Sequence, residues 1–258
     1  MDEFKELRVE IDGHVAVVTL DSPPVNALTR ELNEEMLVAF DRLAETDEVR
    51  AIVLTGAGKC FCAGADLKGR AKYIKGPGDI LAHSRRTREC FHAIRECAKP
   101  VVAAVNGVAL GSGLGMVASS DIIVASENAS FGLPEIDVGL MGGGKHGQRL
   151  FSHSRLRRMM LTGWRVPAAE LYRTGVVEAC TTPEELMPTA LALAREIASK
   201  SPLSTRLAKH TLNTIEDMSL RDGYRYEQDM TASLAKTEDA KEAQAAFREK
   251  RSPVFKGR

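Results

Sequence analysis

The sequence has 258 residues, and its 35 basic and 35 acidic side chains give a formal net charge of zero at neutral pH. A chain of this length can bury a complete hydrophobic core, and its 44% of hydrophobic residues is ordinary for a globular protein. A neutral chain lacks the basic surface by which proteins bind nucleic acid or anionic membranes, so neither partner is expected.

The cysteines and the first residues bear on the cellular compartment. The five cysteines are odd in number and show no zinc-site spacing, which favours a reducing compartment and no bound metal. Residues 1–6 are polar and acidic, unlike a signal or transit peptide, and no apolar run reaches the roughly 20 residues that span a bilayer. We therefore expect a cytoplasmic protein.

Strands and helices alternate in the first hundred residues. In chain order, apolar periodicity predicts strands at 7–11 and 15–20, a helix at about 30–46, a strand at 51–55 and a helix at 80–98. Thr29 precedes the first helix and is suited to cap it. The polar, glycine-bearing stretch at 68–79 is expected to be a mobile connection.

Strands become rare after about residue 147. Apolar segments predict strands at 101–105 and 121–125, followed by a short one at 130–131. Further helices are predicted to begin near Pro167, Pro183, Pro202, Ser219 and Thr237. This order predicts an α/β protein with a helical C-terminal part.

Glycine-bearing loops follow several of the predicted strands, and they fail the common phosphate and nucleophile motifs. The segment 56–60 resembles the end of a P-loop, but Val53 stands where the first glycine is required. The segment 111–115 has the wrong glycine spacing for dinucleotide binding, and Leu110 breaks the nucleophile-elbow pattern. These reactions are therefore disfavoured.

Two of the loops are strand-to-helix junctions built from small residues, Ala63-Gly64-Ala65 and Gly111-Ser112-Gly113. The N–H groups at a helix start lack partners, and small residues let a ligand approach them closely. Two such groups converging on one oxygen would form an oxyanion hole, in which each donor contributes about 10²–10³ in rate. The alternative is that the glycines serve only tight turns.

The ordered set of motifs resembles the enoyl-CoA hydratase/isomerase (crotonase) family over essentially the whole chain. The resemblance is carried by PPVNAL (23–28), FCAGADL (61–67), VNGVALGSG (105–113), FGLPE (131–135) and FREKR (247–251). It implies a crotonase-like spiral of ββα units over 1–195 and a helical trimerisation region over 196–258. It also implies an acyl-CoA substrate without a prosthetic group, and a homotrimer or a dimer of trimers.

The resemblance assigns roles to residues of the glycine loops and the C-terminus. The N–H groups of Ala65 and Ser112 would form the oxyanion hole that stabilises a thioester enolate. CoA would be bound by the Ala63 backbone at the adenine and by Lys68 near the phosphates, with Asp66 bracing their loop. Phe247 and Lys250 would reach the CoA of a neighbouring subunit.

Glu135 is the residue expected to transfer the proton, because a carboxylate in an apolar setting has a raised pKa and can take up and return a proton. Hydratases of this family carry a second glutamate where this chain has Gly115. A single carboxylate favours isomerisation of an enoyl-CoA. Asp137, directed like Glu135 by an extended chain, or His146 could assist hydration instead.

Two further alternatives remain open at this point. The same oxyanion hole could serve an acyl-CoA thioester or C–C hydrolase, because both reactions also place negative charge on the carbonyl oxygen. The chain could also be a non-catalytic CoA-binding paralogue that has lost the second acid.

Overall fold

The computed structural model describes residues 4–258, which form ten strands, eleven α-helices and one 3-10 helix. The strands are β1 Leu7–Asp12, β2 Val15–Leu20, β3 Ala51–Gly56, β4 Cys60–Cys62, β5 Val101–Val105, β6 Val108–Leu110, β7 Ile122–Ser126, β8 Ser130–Gly132, β9 Arg165–Pro167 and β10 Ala179–Thr181. The α-helices are α1 Arg30–Glu45, α2 Leu67–Tyr73, α3 Pro77–Glu96, α4 Ser112–Ser119, α5 Gly144–Leu150, α6 His153–Thr162, α7 Ala168–Arg173, α8 Pro183–Ala198, α9 Pro202–Ile215, α10 Leu220–Leu234 and α11 Glu238–Glu249. The 3-10 helix is Pro134–Val138.

The strands form two sheets, and the order of pairing explains the winding of the chain. The six-stranded sheet has the order β1-β2-β3-β5-β7-β10, and the four-stranded sheet has the order β4-β6-β8-β9. Three times in succession, a strand of the large sheet (β3, β5 or β7) runs through a short connection into a strand of the small sheet (β4, β6 or β8), and helix follows. The predicted spiral of ββα units is confirmed.

The central strands are apolar on both faces because each face packs against a different part of the core. All six residues of β3 are buried. Ile52 and Leu54 belong to the larger core cluster, whereas Ala51 and Val53 pack with residues of α8 on the other face. The alternation follows from the two-residue period of a strand, and it explains why this segment reads as a continuous apolar run.

Hydroxyl side chains cap several of the predicted helices. The Oγ1 atom of Thr29 accepts a hydrogen bond from the Leu32 N–H at 2.9 Å, so α1 begins where the sequence predicts. Ser201, Ser219 and Thr237 accept equivalent bonds at the starts of α9, α10 and α11. These bonds satisfy N–H groups that a helix leaves unpaired.

The stretch at 68–79, expected to be a mobile connection, is largely helical. Helix α2 occupies most of this stretch, because the Asp66 carboxylate caps its start and accepts a hydrogen bond from the Gly69 N–H at 2.9 Å. Helix α3 then begins at Pro77, three residues before the predicted start. Capping therefore stabilises a short helix whose polar sequence carries little apolar periodicity.

Helix α9 is anchored to the α/β core by an ion pair whose ammonium group is buried. The Lys209 ammonium of α9 lies 2.8 Å from an Asp121 carboxylate oxygen and donates to the carbonyls of Ile94 and Lys99, both at 3.1 Å. Helix α8, which covers the large sheet, ends at Ala198, three residues beyond the predicted domain boundary at 195. Within residues 4–258, no helix has the length and apolar character needed to cross a bilayer.

Candidate active site

The junction from β4 to α2 leaves one backbone N–H without an acceptor. Leu28 pairs with Ala65 in a parallel bridge, in which the Leu28 N–H donates to the Gly64 carbonyl at 2.8 Å and the Asp66 N–H donates to the Leu28 carbonyl at 3.2 Å. Both bonds use the neighbours of Ala65, so its own N–H points away from Leu28. No acceptor in the described part of the chain binds that N–H.

The junction from β6 to α4 has the same property. Gly111 has φ +52° and ψ −113°, a conformation that disfavours L side chains, and its N–H donates to the Gly132 carbonyl at 2.9 Å. Helix α4 begins at the next residue, Ser112, whose N–H therefore lies in the unpaired first turn. Among residues 4–258, none accepts a hydrogen bond from it.

The two junctions and Glu135 meet in space. A Cβ atom at Gly111 would lie 3.7 Å from the Gly64 Cα and 2.7 Å from Oε1 of Glu135. A Cβ atom at Gly64 would lie 3.2 Å from the Leu110 carbonyl oxygen. Both positions also have a positive φ, +107° at Gly64 and +52° at Gly111, which favours glycine. The small residues thus bring two unpaired N–H groups and a carboxylate into one site.

The Glu135 carboxylate is half-buried and incompletely paired. It lies on the 3-10 helix, and its Oε2 atom is buried without a hydrogen-bond partner in the described structure. Burial raises the pKa of Glu135 above the ordinary carboxyl value, and a bond from its own backbone N–H opposes this only in part. A carboxylate in such a setting can exchange a proton with a bound molecule.

Asp137 is not directed into this site. The residues 134–138 form a 3-10 helix, so the expectation of an extended chain with both carboxylates on one side is wrong. An Asp137 carboxylate oxygen lies only 2.5 Å from where a Cβ at Gly163 would stand, at the end of α6, whereas Glu135 faces Gly111. Asp137 is also exposed to solvent.

The space beside Gly115 is filled by an aromatic ring. A Cβ atom at Gly115 would lie 2.7 Å from Cζ of Phe91 and 2.9 Å from its Cε2. The His146 ring meets Phe91 edge to face, with 4.9 Å between ring centroids. Burial, followed by the charges of His92, Arg149 and Arg95, lowers the pKa of His146, so its imidazole is neutral near pH 7.

The predicted CoA-binding residues of the first loop lie around Ala65. The Ala63 N–H donates to the Val25 carbonyl at 3.1 Å, which ties the loop to the early segment 23–28. Asp66 caps α2, and Lys68 is exposed on the first turn of that helix. The carboxylate of Asp66 is thus engaged by the backbone at the start of α2, and the roles of these residues in CoA binding remain predictions.

Phe247 and Lys250 lie at the other end of the chain, on the last turn of α11. Phe247 is 86% exposed, and Lys250 ends the helix with φ +53°. Their contact with the CoA of a neighbouring subunit remains a prediction.

Sequence reasoning missed Phe91 as a site residue. The periodicity of α3 identifies its buried side, which includes Cys90, Phe91 and Ile94. Periodicity does not say which other element that side contacts, so the approach of Phe91 to Gly115 emerges only from the packing of α3 on α4. Within the described residues, no group of three acidic, histidine or cysteine side chains could hold a metal ion.

Comparison with known proteins places this site in a family. The family model described as enoyl-CoA hydratase/isomerase matches residues 10–258. A hydrolase of (7aS)-7a-methyl-1,5-dioxo-2,3,5,6,7,7a-hexahydro-1H-indene-carboxyl-CoA from Mycobacterium tuberculosis is 37% identical over 233 residues, covering 90% of this chain and 94% of that protein. The carnitinyl-CoA dehydratase of Salmonella paratyphi B is 35% identical over 267 residues, covering 98% of this chain and 99% of that protein.

Solved structures agree with the sequence comparison. The crystal structure of an enoyl-CoA hydratase from Bacillus anthracis is similar with a TM-score of 0.93 and 32% identity, covering 98% of this chain and 100% of that one. The spiral of ββα units is therefore the crotonase fold, and the protein is an acyl-CoA enzyme of the kind that this fold carries. The chain belongs to the enoyl-CoA hydratase/isomerase family.

Proposed function

We propose that the protein isomerises an enoyl-CoA by moving one proton through Glu135 while the N–H groups of Ala65 and Ser112 stabilise the enolate oxygen. The observation that carries the proposal is the buried Oε2 atom of Glu135, which has no partner in the described structure. A buried, unpaired carboxylate oxygen is costly, and a substrate proton would satisfy it.

The proposed steps balance without a second acid. Glu135 removes a proton from C2 of a 3-enoyl-CoA, and the electron pair passes into the thioester carbonyl, whose oxygen accepts hydrogen bonds from the two N–H groups. The same carboxyl group then returns the proton to C4, and the double bond moves to C2–C3. The Phe91 ring supports this proposal, because it fills the space at Gly115 where a second acid would have to stand.

The assay compares wild type with Glu135→Gln on a 3-enoyl-CoA and on a 2-enoyl-CoA. Glutamine preserves the shape but cannot take a proton, so we expect isomerisation to fall by about 10²–10⁴-fold. Glu10→Gln, on the exposed side of β1, is the matched control and should leave turnover unchanged. Undiminished isomerisation by Glu135→Gln would exclude the proton transfer, and acyl-CoA binding without any turnover by wild type would favour a non-catalytic paralogue.

A second candidate function is hydrolysis of an acyl-CoA at a thioester or C–C bond. It is supported by the relative from Mycobacterium tuberculosis, which is named as a CoA hydrolase. The oxyanion site would serve this reaction as well, because negative charge again develops on the thioester oxygen. Release of free CoA or of a shortened acyl-CoA in the same assays would distinguish hydrolysis from isomerisation.

We also infer that the protein works as a homotrimer or a dimer of trimers in the cytoplasm. The exposed side chains of Leu212, Leu220, Tyr224 and Phe247 on the last three helices support an interface formed by residues 196–258. Light scattering of the purified protein measures this directly, and a monomer that retains full turnover would contradict it.

A further inference from the structure

One carboxylate outside the catalytic site binds two arginines that belong to different helices. Glu216 directly follows the last residue of α9, and its Oε1 atom lies 2.7 Å from Nε of Arg149 on α5. Its Oε2 atom lies 2.6 Å from Nη2 of Arg95 on α3. The three side chains are between 25% and 29% exposed, so both ion pairs are partly shielded from water and are stronger than exposed pairs.

Arg149 connects Glu216 to the helix that presents one oxyanion donor. Its Nη1 atom donates to the Ala118 carbonyl in the last turn of α4. Carbonyls in the last turn of a helix have no partner within it, so Ala118 is free to accept from a side chain. Helix α4 begins at Ser112, and its internal hydrogen bonds make its eight residues rigid. A shift of Ala118 therefore also moves the Ser112 N–H.

Arg95 fixes the end of α3 to the same junction. Its Nη2 atom also donates to the Asn213 carbonyl at 3.0 Å, and Nδ2 of Asn213 donates to the Arg95 carbonyl at 2.7 Å. Phe91 lies one turn earlier on α3, where its ring meets Gly115 of α4. The end of α3 is thus held both to the junction after α9 and to the helix of the oxyanion donor.

Helix α5 leads from this ion-pair cluster to the proposed proton acceptor. The helix begins at Gly144, and a Cβ atom at Gly142, two residues earlier, would lie 3.7 Å from Oε1 of Glu135. Arg149 therefore joins the helix next to Glu135 to the helix that carries the Ser112 N–H. The position of the donor relative to the carboxylate depends on how α4 and α5 pack together.

A neighbouring ion pair joins the same two segments without these contacts. Lys145 of α5 lies 3.6 Å from a carboxylate oxygen of Asp217, the residue after Glu216, and the two side chains are 74% and 79% exposed. Exposed pairs of this kind contribute little to the free energy of unfolding. Asp217 therefore provides a matched control, with the same charge in the same turn of the chain.

We propose that Glu216 is a positioning residue: its two ion pairs hold α4 and α5 so that the Ser112 N–H meets the thioester oxygen while Glu135 reaches the acyl carbons. An oxyanion donor acts only within hydrogen-bond distance of the developing charge, and a misplacement of about 1 Å can cost about 10²-fold in rate. Glu216 acts through the helices and does not touch the substrate. This inference rests on the proposed function of the Ser112 N–H and Glu135.

Two measurements test the inference: steady-state kinetics on a 3-enoyl-CoA, and the stretching frequency of the thioester carbonyl in bound butyryl-CoA, recorded by Raman difference spectroscopy. Glu216→Ala should lower kcat by about 10- to 100-fold with little change in KM, because the lost alignment matters most in the transition state. The carbonyl frequency should rise, because a misplaced N–H polarises the carbonyl less. Glu216→Gln, which keeps one acceptor oxygen, should give intermediate values, and Asp217→Ala should change neither quantity.

A purely structural ion pair predicts a different result. It would lower the free energy of unfolding while the folded variant kept the kcat and the carbonyl frequency of wild type, and that outcome would overturn the inference. Equal changes in Glu216→Ala and Asp217→Ala would overturn it as well. If Glu216→Ala does not fold, Glu216→Gln provides the same comparison. Wild type that neither binds butyryl-CoA nor turns over any enoyl-CoA would overturn the proposed function, and this inference with it.

Discussion

The contact between Gly115 and Phe91 gives the sharpest test of the site geometry. In an exposed helix Gly→Ala stabilises by about 1 kcal/mol. At Gly115 the new methyl group would lie 2.7, 2.9 and 3.1 Å from three ring atoms of Phe91, well inside normal contact. Overpacking of this kind costs about 1–3 kcal/mol, so Gly115→Ala should be neutral to destabilising by about 2 kcal/mol.

A double-mutant cycle isolates the contact. Phe91→Leu alone removes ring atoms from a buried site and should cost less than the roughly 3–5 kcal/mol of a Phe→Ala change. In the double variant the methyl group of residue 115 occupies the space that the Phe91 ring has left. The double variant should therefore lose less stability, by about 1–2 kcal/mol, than the two single variants lose in total.

The assay is urea unfolding of the four proteins, with Gly78→Ala as the control. Gly78 lies in the first turn of α3 with no atom within 4 Å of an added Cβ, so this change should stabilise or be neutral. The claim that Phe91 fills the space at Gly115 would be refuted if Gly115→Ala stabilised the protein as much as Gly78→Ala does. It would also be refuted if the stability losses of the two single variants simply added in the double variant. Either result would remove the argument for a single acid.

Three other predictions follow from buried charges and caps. The pKa of Glu135 is raised in the folded state, so ionisation of this carboxyl group destabilises the native state as pH rises. Glu135→Gln should therefore stabilise the protein at pH 8 and lose that advantage near pH 4. Urea unfolding at both pH values measures the difference. Lys209→Ala should cost about 1–3 kcal/mol in urea unfolding, because it removes a buried ammonium together with its hydrogen bonds to the Ile94 and Lys99 carbonyls. Lys200→Ala, in an exposed pair, should cost at most about 0.5 kcal/mol. Asp66→Ala should lower the free energy of unfolding by about 1 kcal/mol and slow turnover. Asp66→Asn can still accept the hydrogen bond from the Gly69 N–H, so its losses of stability and of turnover should both be smaller. Equal losses in the two variants would contradict the capping role.

Much of the fold could be read from local patterns. Period-two alternation identifies β1, continuous apolar runs identify β3 and β5, and Thr29 marks the start of α1. These features depend on neighbours in sequence, so the sequence expresses them directly. Helix α6 was not predicted, although the two residues it buries, Leu156 and Met159, are spaced as on one face of a helix.

The sequence by itself determined that the two glycine junctions begin helices and that Glu135 follows a buried strand, because turn chemistry and burial are encoded locally. Only the tertiary structure decided that both junctions meet at Glu135, that Asp137 turns toward Gly163 and that Phe91 fills the space at Gly115. Such contacts join segments far apart in the chain, and each depends on how sheets and helices pack rather than on any local preference.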